Sequence, residues 1–167
     1  VNFIAETERL RFRPFQLGVE DGVYEFASNP EVQKLTGDKN AVFKNDTRKL
    51  ITDIWLKDYE SYGYGRFAII HKEDNKIIGF NGIKFLKDIN NSDLGYRVLP
   101  KYVGKGIATE SSKPILKFAF ENIGLEELLG FIMFENNTSA KVLEKLKFQQ
   151  TEIKPFPGET EKLLCTT

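Results

Sequence analysis

One stretch constrains this chain more than any other: Val98-Leu-Pro-Lys-Tyr-Val-Gly-Lys-Gly-Ile-Ala-Thr-Glu110. A strand ends at a proline, two glycines follow with one residue between them, and a helix begins. The first turn of a helix carries backbone N–H groups without partners, and its dipole places partial positive charge there. Glycines let the backbone curl so that amides converge and an anion can come close. The small residues Ala108 and Thr109 leave the entrance open. The pattern predicts a site for phosphate or diphosphate; a plain tight turn is the other reading of the same glycines. Better-known phosphate loops do not fit. Residue 109 is Thr where Gly-x-Gly-x-x-Gly needs glycine, and no Gly-Lys-Ser/Thr closes the loop. Nor is there a strand-turn-helix Gly-x-Ser-x-Gly.

The rest of the chain supplies a frame for that turn. Residues 7–15 alternate, with Leu10 and Phe12 on one face and Arg9, Arg11 and Arg13 on the other, which predicts a strand. Glu20 to Ala27 reads as a short helix burying Val23, Phe26 and Ala27. Pro30 opens another helical turn towards Leu35. Asp46 is the expected N-cap of a longer helix to Tyr62, with Leu50, Ile51, Ile54, Trp55 and Tyr59 as its apolar stripe. Arg66–His71 and Lys76–Leu86 form a hairpin, and Asn90 to Ser92 a turn. Asp93–Leu99 is the strand before the glycines. The helix after them reaches about Asn122, with Pro114 predicting a kink. Leu128–Phe134 is a strand, and Thr138–Leu146 a helix. Phe148–Lys154 and Thr160–Cys165 close the sheet around a Pro-Phe-Pro-Gly turn. This order predicts an α/β (α+β) fold: a mixed, mostly antiparallel sheet of six to seven strands flanked by about four helices.

The length, 167 residues, favours one domain over 1–167. The 24 basic residues balance the 24 acidic ones, so charge points to neither nucleic acid nor membrane. Cys165 is the sole cysteine and His71 the sole histidine, which leaves no His/Cys metal cluster. His71 is expected at an exposed strand end. A lone cysteine fits a reducing, cytoplasmic setting. The opening Val-Asn-Phe-Ile-Ala-Glu lacks the basic start and apolar core of a signal peptide, and no apolar run is long enough to span a membrane.

Four segments, taken together, resemble the GNAT acetyltransferases. They are Asp93-Leu-Gly-Tyr96, Tyr102-Val-Gly-Lys-Gly-Ile-Ala-Thr-Glu110, Asn136-Asn-Thr-Ser139 and Val142-Leu-Glu-Lys-Leu-Lys-Phe148. Thr7-Glu-Arg-Leu-Arg11 resembles the opening strand of the Rim-type branch, which acetylates N-termini of ribosomal proteins. The resemblance implies a sheet whose fourth and fifth strands splay apart to admit acetyl-CoA. Its pantetheine arm would bond along Tyr96, Arg97 and Val98. Its pyrophosphate would sit on the backbone of Val103, Gly104, Lys105, Gly106, Ile107, Ala108 and Thr109. Asn136 lies where family members hold the arm. No metal is implied.

The implied chemistry is direct attack of an amine in a ternary complex. Asp93 is the candidate base and Ser139 the candidate acid, or at least a hydrogen bond to the sulfur. Each also has a plainer reading, Asp93 in a turn and Ser139 bonding backbone in a first helical turn. Three positions depart from the family pattern. Leu143 stands where many members have a tyrosine acid, Val103 where Gln or Arg is common, and Lys147 where Gly is usual. Phe134 carries no hydroxyl to replace the acid. Glu110 reads as a helix-dipole complement, and Lys105 as a phosphate contact or an ordinary loop lysine. Trp55, Tyr59, Tyr62 and Tyr64 could line an acceptor groove or simply pack the core. The expected acceptor is a protein N-terminal amine. The alternatives are a small amine (polyamine, amino acid or aminoglycoside), a catalytically silent CoA-binding module, or a loop that binds nothing. Specificity would lie in residues 27–45 and the strand-end loops; a monomer or homodimer is expected.

Overall fold

The computed structural model describes residues 3–34, 44–132, 136–155 and 161–167. Eight strands form one sheet in the order β1-β2-β3-β4-β5-β6-β8-β7. They are β1 (Ala5–Glu6), β2 (Leu10–Pro14), β3 (Arg66–His71), β4 (Lys76–Leu86), β5 (Asn91–Val98), β6 (Leu129–Ile132), β7 (Gln149–Pro155) and β8 (Glu161–Thr166). The strand beyond the expected number is β1, two residues that pair with Arg11 and Phe12 and are too short to leave a periodic signal. Neighbours run antiparallel except β5 and β6, which are parallel and share one rung among the described residues, Asp93 opposite Leu129. No further rung joins the two strands among the described residues.

The helices are α1 (Glu20–Ala27), α2 (Pro30–Lys34), α3 (Lys44–Lys49), α4 (Leu56–Tyr62), α5 (Ile107–Lys117) and α6 (Asn137–Lys145). A wide π turn, Leu50–Trp55, joins α3 to α4. Asp46 is not an N-cap, because the helix is already running at Lys44. The π turn also rotates the stripe, so Ile54 is turned outward, 41% exposed, while Ile51, Trp55 and Tyr59 are buried. A second π turn, Phe118–Ile123, continues α5 and ends at Gly124, whose φ of 82° reverses the chain. Asn122 is exposed there. The α-helical part of α5 passes through Pro114 to Lys117. The strand before the glycines starts at Asn91, two residues earlier than predicted, because Asn90 takes a left-handed conformation that completes the turn by itself. Leu35, Phe134 and the Pro-Phe-Pro-Gly turn beyond Pro155 lie outside the described residues.

The core forms where helices cover both faces of β4. Phe80 meets Phe26 and Trp55 edge-on, with ring centroids 6.0 and 5.9 Å apart. Its neighbour Asn81 points to the opposite face, under α5, as strand alternation requires. Asn81 is fully buried and donates to the hydroxyls of Ser111 and Ser112, both at 2.9 Å. Those hydroxyls in turn donate to the carbonyl of Ala108 at 3.1 and 2.7 Å. A buried polar chain therefore ties the first turn of α5 to the middle of the sheet.

Candidate functional site

The glycine turn is built in three steps. Leu99 still bonds to β4, its N–H donating to Ile78 at 2.8 Å. Pro100–Tyr102 then make one 3-10 turn, in which the N–H of Val103 donates to Pro100 at 3.2 Å. The Val103 amide, counted in the expected cradle, is thus turned into the loop itself, while its side chain is 52% exposed. Gly104 and Gly106 follow with φ of 80° and 79°, a backbone that β-carbons disfavour. Gly106 is the N-cap of α5, and its carbonyl accepts from Glu110 at 2.9 Å.

The N–H groups of Gly106, Ile107, Ala108 and Thr109 are the four that helix geometry leaves without an intrahelical acceptor. No side chain caps them. Ile107 is buried beneath, which fixes the turn, while 103–106 are exposed. An anion of phosphate size and charge fits this cradle. Lys105 is exposed and lies 6.0 Å from the Tyr102 ring centre, beside Lys101 at 5.5 Å. The Tyr102 hydroxyl donates to Asp74, which anchors the loop to the β3–β4 hairpin. His71, expected exposed, sits at the strand end but is mostly covered, its ring against Tyr102 and its Nδ1 accepting from the Asp74 N–H at 3.4 Å.

Glu110 does more than complement the dipole. Its carboxylate accepts from the Thr7 hydroxyl at 2.5 Å, the Arg9 backbone at 3.0 Å and Arg9 Nε at 2.7 Å. Burial pushes this carboxyl up, but the hydrogen bonds from Thr7 and Arg9 outweigh it and hold the group below the ordinary glutamate value. A depressed folded-state pKa stabilises above the unfolded value and is lost as pH falls through the folded one. Glu110→Gln is therefore expected to cost about 1–2 kcal/mol at pH 7. That difference should vanish once the medium is acid enough to protonate Glu110 in the folded protein. Urea titrations at a series of pH values check it.

Tyr96, Arg97 and Val98 pair with Asn81, Phe80 and Gly79 of β4. Their other edge faces the split, where β6 adds no further rung among the described residues. Asp93 sits where the split begins, buried, with one carboxylate oxygen accepting from Arg66 at 3.3 Å. The same guanidinium donates to the carbonyls of Gly82 at 2.8 Å and Asp93 at 3.3 Å. It lies against Gly95, where a β-carbon would come within 2.6 Å of it. Arg97 is stacked 4.9 Å from the Phe80 ring centre.

Across the split, Asn136 caps α6 by accepting from the Ser139 N–H at 3.1 Å. Ser139 is met by the Tyr96 hydroxyl, which donates to its Oγ at 3.1 Å. Burial raises the Tyr96 phenol above its usual value, and the Ser139 contact pulls weakly the other way. Asp93 and Tyr96 are an odd number of residues apart, so they point to opposite faces of the sheet. Leu143 is a core residue that packs over Gly130. Lys147 takes the left-handed conformation, φ 71°, that a glycine would take more easily.

Two features were not legible beforehand. Arg66 reaches Asp93 across Gly82 and Gly95, positions joined only by strand register. The Tyr96 side chain was read for its backbone alone. Trp55, Tyr59 and Tyr64 are buried in the core and Tyr62 is half-buried. A separate open groove follows the outer face of α5 past Lys113 and Lys117 to Phe3, touching the glycine loop at Gly106 and Thr109. No helix among the described residues is long and apolar enough to cross a membrane.

Comparison with known proteins bears on the family and the fold. The pattern of an acetyltransferase (GNAT) domain matches residues 9–149. An uncharacterised N-acetyltransferase, p20, of Bacillus licheniformis is 30% identical over 148 residues, spanning 86% of this chain and 81% of its own. The ribosomal-protein-S5-alanine acetyltransferase of Vibrio fischeri superposes with a TM-score of 0.83 at 16% identity, over 99% of this chain and 96% of its own. The spermidine N-acetyltransferase of Vibrio cholerae, solved with CoA and spermine, gives 0.78 at 14% identity, over 96% of each chain. At such identities the two structures speak to the fold alone.

Proposed function

Because the chain belongs to the GNAT acetyltransferase family, we propose that its acceptor is the N-terminal amine of a protein. It is an acetyl-CoA-dependent N-acetyltransferase. The observation that supports the site reading is a set of three features: the edge of β5 that has no rung to β6 beyond Asp93 among the described residues, the amide cradle at Gly106 and the capped start of α6. Gly104 to Thr109 direct backbone amides at the diphosphate, with Val103 shaping the turn. Lys105 adds positive charge beside it. Tyr96, Arg97 and Val98 offer their backbone edge to the amides of the pantetheine arm, and Asn136 holds that arm from the other wall.

Bound acetyl-CoA supplies an activated thioester. Asp93, oriented by Arg66, takes the proton of the amine through water, from the face of the sheet opposite Tyr96. Ser139 donates to the sulfur. Attack is direct, in a ternary complex, so the work of the chain is positioning and proton handling.

The choice of a protein N-terminus is supported by the likeness of Thr7 to Arg11 to the Rim-type opening strand. A cytoplasmic enzyme, monomeric or dimeric, suits that acceptor. Purified protein with acetyl-CoA should release free CoA with alanine- or serine-initiated peptides, the product carrying one acetyl group at its N-terminus by mass spectrometry. Release with spermidine, amino acids or aminoglycosides and none with peptides would replace this acceptor by a small amine.

A further inference from the structure

The departing thiolate needs a proton, and the residue positioned to pass one, Ser139, is an aliphatic alcohol and a poor acid by itself. The structure joins it to a better one. Tyr96 lies on β5 beyond the one rung that the described residues share with β6, and Ser139 lies in the first turn of the helix that follows β6. The two hydroxyls, from opposite walls of the split, meet at 3.1 Å with the phenol as donor. A serine oxygen that receives this hydrogen bond is free to aim its own hydrogen into the split. Its backbone N–H is fixed on Asn136, so the hydroxyl is presented in one place.

We propose that Tyr96 is the proton source for the leaving group, acting through Ser139. The inference rests on the acetyltransferase reading above and deepens it. A phenol, whose ordinary pKa near 10 burial raises here, is still a stronger acid than an aliphatic alcohol and stands nearer to an alkyl thiol near 8.5. Burial keeps Tyr96 protonated at neutral pH, the form in which it must enter the reaction. The amine nitrogen forms its bond to the carbonyl carbon, and the carbon–sulfur bond breaks with its electron pair on sulfur. The sulfur takes the Ser139 hydrogen while Ser139 takes that of Tyr96. The phenolate regains a proton from the one the amine released, by way of solvent. Tyr96 is thus a positioning residue, and it supplies from β5 the hydroxyl that Leu143 lacks on α6.

Tyr96→Phe keeps the ring and removes the proton. Its kcat for amine-dependent CoA release should fall about 100-fold, with KM for acetyl-CoA within about twofold, since the backbone edge is intact. Ser139→Ala should fall as far, and the double variant no further. Site-specific 3-fluorotyrosine at position 96, a more acidic phenol of nearly the same shape, should move the alkaline limb of the kcat profile to lower pH. Its fluorine signal in the CoA-free protein should shift when Ser139 is changed to alanine. Full kcat in Tyr96→Phe, additive losses, an unmoved alkaline limb or an unmoved fluorine signal each overturn the relay. If the native protein binds CoA by calorimetry but releases none with any amine, the functional reading fails and the relay with it. An active native protein with an unaffected Tyr96→Phe fails the relay alone.

Discussion

Gly79→Ala is expected to lower the stability of the protein by about 3 kcal/mol or more. A β-carbon at Gly79 would lie 1.8 Å from the carbonyl oxygen of Arg97, 2.8 Å from its carbon and 3.0 Å from the Cα of Val98. All three are backbone atoms of β5, so no rotamer change relieves the contact. The only relief is to push β5 away from β4 where Gly79 pairs with Val98. The register of β3 against β4 already shifts there, between Ile69 and Ile70, so the other side of β4 has little slack to lend. The displaced strand is the one whose free edge is read as the docking line for the pantetheine arm. Loss of stability and loss of CoA affinity should therefore appear together. Urea unfolding checks the first and calorimetry the second. A variant within 0.5 kcal/mol of the parent, the range of an ordinary surface change, would mean that the two strands lie farther apart than described.

Gly106→Trp should separate those two quantities. Gly106 is exposed, and a β-carbon there would meet only the guanidinium of Arg9, at an ordinary 3.6 Å. The fold has room for the side chain and would bear chiefly the left-handed backbone cost, about 1–2 kcal/mol. The cradle has no such room, because an indole at the N-cap stands among the amides of residues 106–109. Losing two charge-assisted hydrogen bonds of about 1.5 kcal/mol each weakens binding about 100-fold. Calorimetry should show that loss for CoA with the unfolding midpoint only modestly lowered. Gly104→Ala is the control for backbone strain alone, since nothing lies within 4 Å of the added carbon. Its affinity should fall by less. Unchanged affinity in Gly106→Trp would remove the cradle from the account of CoA binding.

Much of this frame was legible because its signals are local. Leu10 and Phe12 alternate with arginines, and both are buried. Glu20 to Ala27 buries the three residues its periodicity singles out. Gly63 and Gly124 end helices at positive φ, as glycines after an apolar stripe should. The glycine turn was legible for the same reason, since helix capping is decided within a few residues. What escaped notice depends on register or on a change of helical pitch. The π turn after Lys49 moves Ile54 out of its stripe, and nothing in the residues themselves announces the wider turn. Arg66 finds Asp93 only because three strands align two glycines beneath its side chain. The Tyr96 hydroxyl meets Ser139 across 43 positions of chain. The Val103 amide was counted in the cradle because spacing says which residues are near a turn, not which of their groups it consumes.

The single rung that the described residues show between Asp93 and Leu129 has a mechanical consequence. Among the described residues the sheet divides into five strands and three, joined through the backbone at that one rung, with the Tyr96–Ser139 hydrogen bond crossing the split beyond it. Beyond that rung the described residues show no ladder, so a molecule entering there would displace side-chain contacts such as Tyr96–Ser139 rather than sheet hydrogen bonds. A molecule bonding along that margin of β5, as proposed for the pantetheine arm, would add rungs that the described strands lack and so tie the two halves of the sheet together.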